Sequence, residues 1–144
     1  MTRYLGIDFG TRRIGVAVSD ELGLTAQPLP TFEPSSEQEA LSVIQGFIDQ
    51  YGVLEVVVGL PKNMNGSLGP AAEQALAFAR RLQEGGAAKV TMWDERLTSR
   101  EAERLLIEAD LSRAKRKRRV DQMAAVLILQ GFLDRRHHQK ERSS

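Results

Sequence analysis

The stretch Leu54-Glu55-Val56-Val57-Val58-Gly59-Leu60 is a nearly continuous apolar run, and it decides the fold class. Such a run is typical of a strand that is buried on both faces, as in a sheet covered by helices on either side. A capped amphipathic helix is predicted before it, over residues 36–52. A second helix is predicted after it, beginning at Pro70 and stopping at Gly85-Gly86.

Four further strands complete the predicted sheet. Tyr4–Asp8 and Ile14–Ser19 flank a glycine-bearing turn and are predicted to form a hairpin. A third strand lies within Leu24–Phe32, where two prolines favour an edge position. Val90–Trp93 is the fifth, joined to the central run by a helix and therefore parallel to it through a right-handed crossover. The predicted fold is α/β: a five-stranded mixed sheet with helices packed on it.

The C-terminal third is predicted to be mostly helical. A capping-box pattern at Thr98 and Glu101 predicts a helix to about Ala109. Six of the eight residues 112–119 are Lys or Arg, and Val120–Leu133 is apolar almost all round, which indicates a largely buried helix. We predict one domain over residues 1–136 and a loosely ordered polar tail over residues 137–144.

The composition narrows the class of protein. The 144 residues include no cysteine, which excludes disulfides and thiolate metal sites and suits a reducing compartment. No segment approaches the ~20 apolar residues that span a membrane, and the N-terminus lacks the apolar stretch of a secretory signal. We expect a cytoplasmic protein without a membrane partner.

The net charge of +1 conceals an uneven distribution. Residues 1–95 carry seven basic and twelve acidic side chains, whereas residues 96–144 carry thirteen basic and seven acidic ones. A basic half favours an anionic partner, although a solvated surface would give the same counts. Aromatic residues make up 6% of the chain and none lies in the basic run. This favours recognition of a structured nucleic acid by backbone and shape over stacking of single-stranded bases.

Acidic residues stand where predicted elements begin or end. Asp8 ends the first strand, Asp94 and Glu95 follow the fifth, and Asp121 opens the last helix. Each has a structural alternative: a turn cap for Asp8, an ion pair with Arg96 for Glu95, and a favourable helix-dipole position for Asp121. If the first and fifth strands are parallel, these carboxylates meet at one edge of the sheet.

Converging carboxylates repel one another unless a cation neutralises them. Ligands that are all oxygen favour Mg²⁺ or Mn²⁺. Two such ions, ~3.5–4 Å apart, can activate water and stabilise the leaving oxygen of a phosphodiester without a covalent nucleophile. We therefore predict a metal-dependent nuclease with two ions.

Four strings resemble those of the bacterial YqgF/RuvX family: DFGTRRIG at 8–15, GLPKNMNG at 59–66, DERLTS at 94–99 and VDQMAA at 120–125. The resemblance runs from about residue 4 to residue 133. Family members are described as candidate Holliday junction resolvases and candidate pre-16S ribosomal RNA nucleases. The resemblance implies a RuvC-like, ribonuclease H-like fold. It also implies that Asp8, Glu95 and Asp121 are the metal-binding and catalytic residues.

Basic and amide side chains near these acids are candidates for contacts with nucleic acid. Their structural alternatives are solvated arginines, turn-forming residues and a solvated basic loop. The candidates are Arg12, Arg13, Lys62, Asn63, Arg96, Arg116, Lys117, Arg118 and Arg119.

Oligomeric state bears on the choice of substrate. A Holliday junction resolvase needs two sites in a symmetric dimer, and such a dimer needs an apolar surface to bury. The predicted helices leave no spare apolar stripe. We therefore predict a monomer or weak homodimer that cuts structured RNA, with pre-16S ribosomal RNA processing favoured.

Three alternatives stay open. One is a resolvase acting on branched DNA, and another is a non-catalytic nucleic-acid-binding or transcription factor that keeps the fold. The string at Asp8–Thr11 also occurs in the phosphate loop of the actin, hexokinase and Hsp70 superfamily. Those proteins close two such domains over a nucleotide, and this chain allows one.

Overall fold

The computed structural model describes residues 3–86, 88–95 and 113–143, and in the last of these ranges it describes the side chains of residues 123–139. Strands and helices alternate along this part of the chain. They are β1 Arg3–Phe9, β2 Ile14–Ser19, β3 Ala26–Phe32, α1 Glu37–Tyr51, β4 Val53–Leu60, α2 Pro70–Glu84, β5 Lys89–Asp94 and α3 Arg113–Ser143.

The described strands form one five-stranded sheet in the order β3-β2-β1-β4-β5. β1 pairs antiparallel with β2, and β2 pairs antiparallel with β3. β4 runs parallel to both β1 and β5. The predicted mixed sheet and the edge position of β3 are therefore confirmed. Because β1, β4 and β5 share one direction, their carboxyl ends lie at the same edge of the sheet.

The first two helices begin and end at local signals. Ser36 caps α1 by accepting a hydrogen bond from the Glu39 backbone N–H. The Glu39 carboxylate accepts instead from the Ser35 hydroxyl, so one half of the predicted capping box forms. α1 stops at Gly52, which adopts a left-handed conformation with φ of +61°. α2 starts at Pro70, where the missing N–H costs nothing.

Alternation along the strands separates two cores, one on each face of the sheet. On one face, Ile7 and Val58 pack with residues of α1 and α2. On the other face, Val57 and Trp93 pack with residues of α3. Both faces of β4 are thus buried, as its apolar run predicts.

A glycine in β1 lets α3 lie directly on the sheet. A Cβ atom at Gly6 would stand 2.7 Å from the Leu129 Cβ and 3.0 Å from the Ala125 carbonyl oxygen. Further along α3, the Phe132 ring lies 5.7 Å from the Tyr4 ring. Higher residue numbers in α3 therefore meet lower numbers in β1, and the two elements run antiparallel.

The predicted bounds of the last helix are wrong at both ends. The helix was expected over Val120–Leu133 and spans Arg113–Ser143. At the start, the basic run is helical instead of a loop, because Lys and Arg are good helix formers. At the end, no glycine or proline follows Gly131, so the helix continues into residues 137–143.

Contacts also support the C-terminal extension of α3. The Arg136 guanidinium lies 5.3 Å above the Tyr4 ring, where a cation and an aromatic face attract. The helix predicted between Thr98 and Ala109 lies outside the described residues. In the part of the chain that the structure describes, no helix is both long and apolar enough to cross a membrane.

Candidate active site

Asp8 and Glu95 meet at the carboxyl edge of the sheet. Asp8 stands near the end of β1, opposite Gly15 in β2. Glu95 directly follows Asp94, the last residue of β5. Although β4 separates β1 from β5, the Asp8 and Glu95 side chains share a hydrogen bond. The structure thus brings two of the three predicted carboxylates together.

Gly59 in β4 makes this meeting possible. A Cβ atom at Gly59 would lie 2.9 Å from the Glu95 Cγ and Cδ atoms and 2.5 Å from the Ile128 Cδ1 atom. The Glu95 side chain therefore crosses β4 through the space that a larger residue would fill. Gly59 is not among the residues predicted from the sequence, although a glycine inside a buried strand is a signal of close approach.

The alternation of side chains along β5 indicates which of the neighbouring acids, Asp94 or Glu95, lies on the same face of the sheet as Asp8. Trp93 packs on the α3 face, while Met92 packs against the core on the opposite face. Asp94 has the same parity as Met92 and is therefore directed to the α1–α2 face. Glu95, and not Asp94, shares the α3 face with Asp8 and Gly59.

The electrostatics of the Asp8–Glu95 pair favour the binding of a positive charge. The pKa of Glu95 is raised from its ordinary 4.5 to about 8, mainly by burial and then by the negative charge of Asp8. The hydrogen bond to Asp8 and the charge of Asp94 act in the same direction. Without a cation, the pair therefore shares a proton at neutral pH. A hard divalent cation fits this donor set, because it can replace that proton and neutralise both oxygens.

Asp121 lies in α3, but its side chain is outside the described part of the structure. Among the described side chains, no group of three or more acids or histidines converges. The helix backbone nevertheless places residue 121. Gly6 contacts Leu129 and the Ala125 carbonyl, and α3 runs antiparallel to β1, so earlier residues of α3 lie toward the carboxyl end of β1. Asp121 is therefore on the part of α3 that extends toward the sheet edge of Asp8.

The turn after β1 carries two of the predicted phosphate contacts. Arg12 is exposed in this turn, a few residues from Asp8. The Arg13 Nε atom lies 3.4 Å from a carboxylate oxygen of Glu33, so this arginine forms an ion pair. The geometry leaves Arg12 better placed for an incoming phosphate.

The loop after β4 is shaped by Asn63. Its backbone N–H donates to the Ser67 carbonyl at 2.9 Å, and its amide donates to the Ser67 hydroxyl at 3.0 Å. This is the turn-forming alternative that the sequence left open for Asn63. Lys62, beside it, is half-buried at the carboxyl edge of the sheet.

The other predicted contacts fall outside the described side chains. Arg96 lies outside the described residues. The basic run over residues 113–119 is described as helical backbone only. This run occupies the α3 turns that precede Asp121.

The raised pKa of Glu95 predicts how stability depends on pH in the metal-free protein. A carboxyl that keeps its proton more tightly when folded stabilises the fold fully below pH 4.5, and this stabilisation is lost as the pH rises to about 8. The free energy of unfolding should fall by about 2–4 kcal/mol over this range, since each tenfold change in acidity is worth about 1.4 kcal/mol. Urea denaturation in EDTA at pH 5, 6.5 and 8 measures this.

Two variants isolate Glu95 in that experiment. Glu95→Gln should remove most of the pH dependence, whereas Glu84→Gln at the exposed end of α2 should keep it. A pH profile that is the same in Glu95→Gln and the parent protein would contradict the assignment.

A family model and curated relatives match almost the whole chain. The family described as RuvX, Holliday junction resolvase, matches residues 2–135. A protein of Halothermothrix orenii named "Putative pre-16S rRNA nuclease" is 54% identical over 132 residues, covering 92% of this chain and 94% of the relative. A Bacillus cereus protein of the same name is 54% identical over 136 residues, covering 93% and 99%.

Solved structures share the fold. Thermus thermophilus RuvC in complex with a Holliday junction substrate matches with a TM-score of 0.60 at 15% identity, over 94% of this chain and 96% of that one. The fowlpox virus Holliday junction resolvase matches with a TM-score of 0.55 at 11% identity, over 92% and 99%. At such identities the likeness concerns the fold alone, and it confirms the predicted RuvC-like, ribonuclease H-like architecture.

Proposed function

Because this chain belongs to the RuvX family of nucleases, we propose that it is a metal-dependent endonuclease that cuts structured RNA, with processing of pre-16S ribosomal RNA in the cytoplasm as its role. The observation that carries this proposal is the hydrogen-bonded pair of Asp8 and Glu95, seated side by side at the sheet edge. The relatives named above supply the substrate class.

Asp8, Glu95 and Asp121 would hold Mg²⁺ or Mn²⁺, with two ions in the working site. Bound ions supply the positive charge that activates water and stabilises the leaving oxygen. With such ions bound, Asp8 and Glu95 would both be ionised, and their shared proton would pass to solvent. The space above Gly59 admits the Glu95 side chain beside Asp8, so the two acids are positioned before the substrate binds.

The remaining predicted contacts guide the phosphate backbone toward this pair. Arg12 lies in the turn next to Asp8, and Lys62 lies at the same sheet edge. The basic run extends α3 on the N-terminal side of Asp121. Arg13, Asn63 and Arg96 would complete the surface. The positive charge of the basic run would attract the phosphate backbone of the RNA, which the carboxylates alone would repel.

Changing Arg116, Lys117, Arg118 and Arg119 to Ala should weaken binding of every RNA sequence alike. Each lost phosphate contact takes roughly 0.7–0.9 from the slope of log affinity against log salt. The slope should therefore fall by about 3. Fluorescence anisotropy with a structured RNA over a range of KCl concentrations measures it.

The control changes positive charge at the other end of the same helix. Arg135, Lys140 and Arg142 changed to Ala should leave most of the slope in place. Losses in proportion to the charges removed, four in the first variant and three in the control, would mean that overall charge, and not the basic run, drives binding.

We expect a monomer or weak dimer in solution. The exposed large apolar side chains among the described residues are dispersed over three separate segments instead of one stripe. They are Leu22, Leu24, Leu54, Met64 and Leu68. A stable dimer buries ~800 Å² per partner around an apolar centre. Sedimentation velocity at micromolar concentration should show a species near 16.0 kDa. A tight dimer would favour the resolvase function.

The family description favours a second candidate, cleavage of branched DNA. A cleavage assay that offers a pre-16S-like RNA and a four-way DNA junction, each with Mg²⁺ and Mn²⁺, decides between them. We expect single cuts in the RNA. Paired, symmetric cuts in the junction with no RNA cleavage would overturn the RNA proposal. Binding of either substrate without any cleavage would overturn the enzyme.

A further inference from the structure

A cavity of about 310 Å³ lies at the end of β1 that carries Asp8, on the α1–α2 face of the sheet. It is formed by the end of β1 with the turn that follows, by the start of α1 and by one face of α2. Phe9, the neighbour of Asp8, contributes to its wall from the opposite face of the sheet. Its volume is within the range of ~300–1,000 Å³ that is usual for small-molecule sites. We name it the α1–α2 cavity.

The wall of the α1–α2 cavity is aromatic and rigid. The half-buried Phe9 ring stacks on the buried Phe78 ring, with centroids 4.6 Å apart and an angle of 25° between the planes. Phe78 is itself part of the main core, so the Phe9 ring is held in place. A fixed, partly accessible aromatic ring is a platform on which a planar group can stack.

Polar groups stand at the mouth of the cavity. Thr11 and Gln74 are both exposed lining residues. Neither side chain makes a hydrogen bond within the part of the chain that the structure describes. A hydroxyl and an amide can each donate and accept, so together they can read the edge of a heteroaromatic ring.

The charged side chains in the cavity lining give a phosphate no net attraction. The cation in the lining, Arg81, forms a close ion pair with Glu37, which also lines the cavity. This pair raises the pKa of Arg81 and leaves no net charge at the mouth. An uncharged planar group with hydrogen-bonding edges, such as a nucleobase, fits this chemistry better than an anion.

We propose that the α1–α2 cavity receives an unpaired nucleobase of the substrate strand, next to the phosphate that lies at Asp8 and Glu95. This rests on the proposed function, because it takes the strand to pass over that pair. RNA-binding proteins commonly splay out unpaired bases, stack them on aromatic rings and bond to their edges. The absence of aromatic residues from the basic run favoured backbone and shape recognition over stacking. Phe9 offers a stacking surface from another part of the chain.

The inference is tested by filling the cavity. Ala77 lines it from an exposed position on α2, so Ala77→Phe should block it without disturbing the core. Ala71→Phe is the matched control, because Ala71 is exposed on the same helix and does not line the cavity. The probes are RNA hairpins with single-stranded flanks, each abasic at one unpaired position. Binding is measured by anisotropy in Ca²⁺.

Removal of one particular base should weaken binding to the parent protein and to Ala71→Phe by about 5- to 150-fold, the loss expected for one stacked base. Ala77→Phe should bind the intact RNA more weakly than the parent protein by the same factor. An abasic site should not weaken its binding further. A 2-aminopurine at the same position should change its fluorescence when the RNA binds to the parent protein or to Ala71→Phe. It should not change when the RNA binds to Ala77→Phe, in which the cavity is blocked.

Two outcomes would overturn the inference. Abasic sites could affect the parent protein and Ala77→Phe equally at every position. Alternatively, free AMP, CMP, GMP or UMP could bind as tightly as the strand, which would assign the cavity to a mononucleotide. Because the readout is binding, failure here is separate from failure of the nuclease. A protein that cuts RNA without any base effect loses this inference and keeps its proposed function.

Discussion

Replacing Asp8 with Asn is expected to lower the rate of phosphodiester cleavage by about 1000-fold or more, since the loss of several kcal/mol of charge stabilisation has this effect. Asn has the same shape and no charge, so it cannot replace the carboxylate oxygen beside Glu95. The metal-free fold should be as stable as the parent or more stable, because the negative charge of Asp8, which after burial does most to raise the pKa of Glu95, is removed. Cleavage assays and thermal unfolding in EDTA measure the two effects.

The control for Asp8→Asn is Asp49→Asn, the same change on an exposed turn of α1. It should keep full activity. Glu95→Gln should behave like Asp8→Asn in the cleavage assay. Full activity in Asp8→Asn would end the carboxylate mechanism, whereas inactivity with a large loss of stability would give Asp8 a structural role.

Replacing Gly59 with Ala is expected to lower cleavage by about 100-fold, because a displacement of about 1 Å in a catalytic group can have this effect. The new methyl group would overlap the Glu95 Cγ and Cδ atoms and the end of Ile128. Glu95 must then move away from Asp8, and the pKa of Glu95 should fall toward its ordinary value. Stability should decrease by about 1–3 kcal/mol, as for other overpacked cores.

Gly46→Ala provides the matched control for Gly59→Ala. A Cβ atom at Gly46, within α1, would meet nothing within 4 Å. This variant should keep its activity and gain up to about 1 kcal/mol, because Ala is the better helix former. If Gly59→Ala loses stability but cuts at the parent rate, Glu95 does not depend on the space above Gly59.

The sequence was sufficient wherever a local signal decided the structure. The apolar run at β4, Pro70 at the start of α2 and Gly52 at the end of α1 each act within a few residues. The convergence of Asp8 and Glu95 followed from a simple rule, that parallel strands end at one edge. Their catalytic roles stay predictions, as does the role of Asp121.

Features that depend on close packing between distant segments could not be predicted. Positions 6 and 59 require glycine because α3 packs closely on the first and the Glu95 side chain on the second. Only the folded chain shows which segment approaches each glycine. The predicted ends of α3 were wrong because the pattern of polar and apolar residues indicates which part of a helix is buried and does not determine where the helical backbone begins and ends. The α1–α2 cavity likewise combines a turn after β1 with two helices.

The position of β4 between β1 and β5 has a consequence for the newly made chain. Asp8 leaves the ribosome early, but Glu95 reaches it only after β4 has paired with β1 and β5 has paired with β4. Domains form during synthesis from the N-terminal side. A chain that has emerged as far as β4 therefore carries Asp8 without Glu95. The proposed site is therefore incomplete until all three parallel strands of the sheet have been made and have paired.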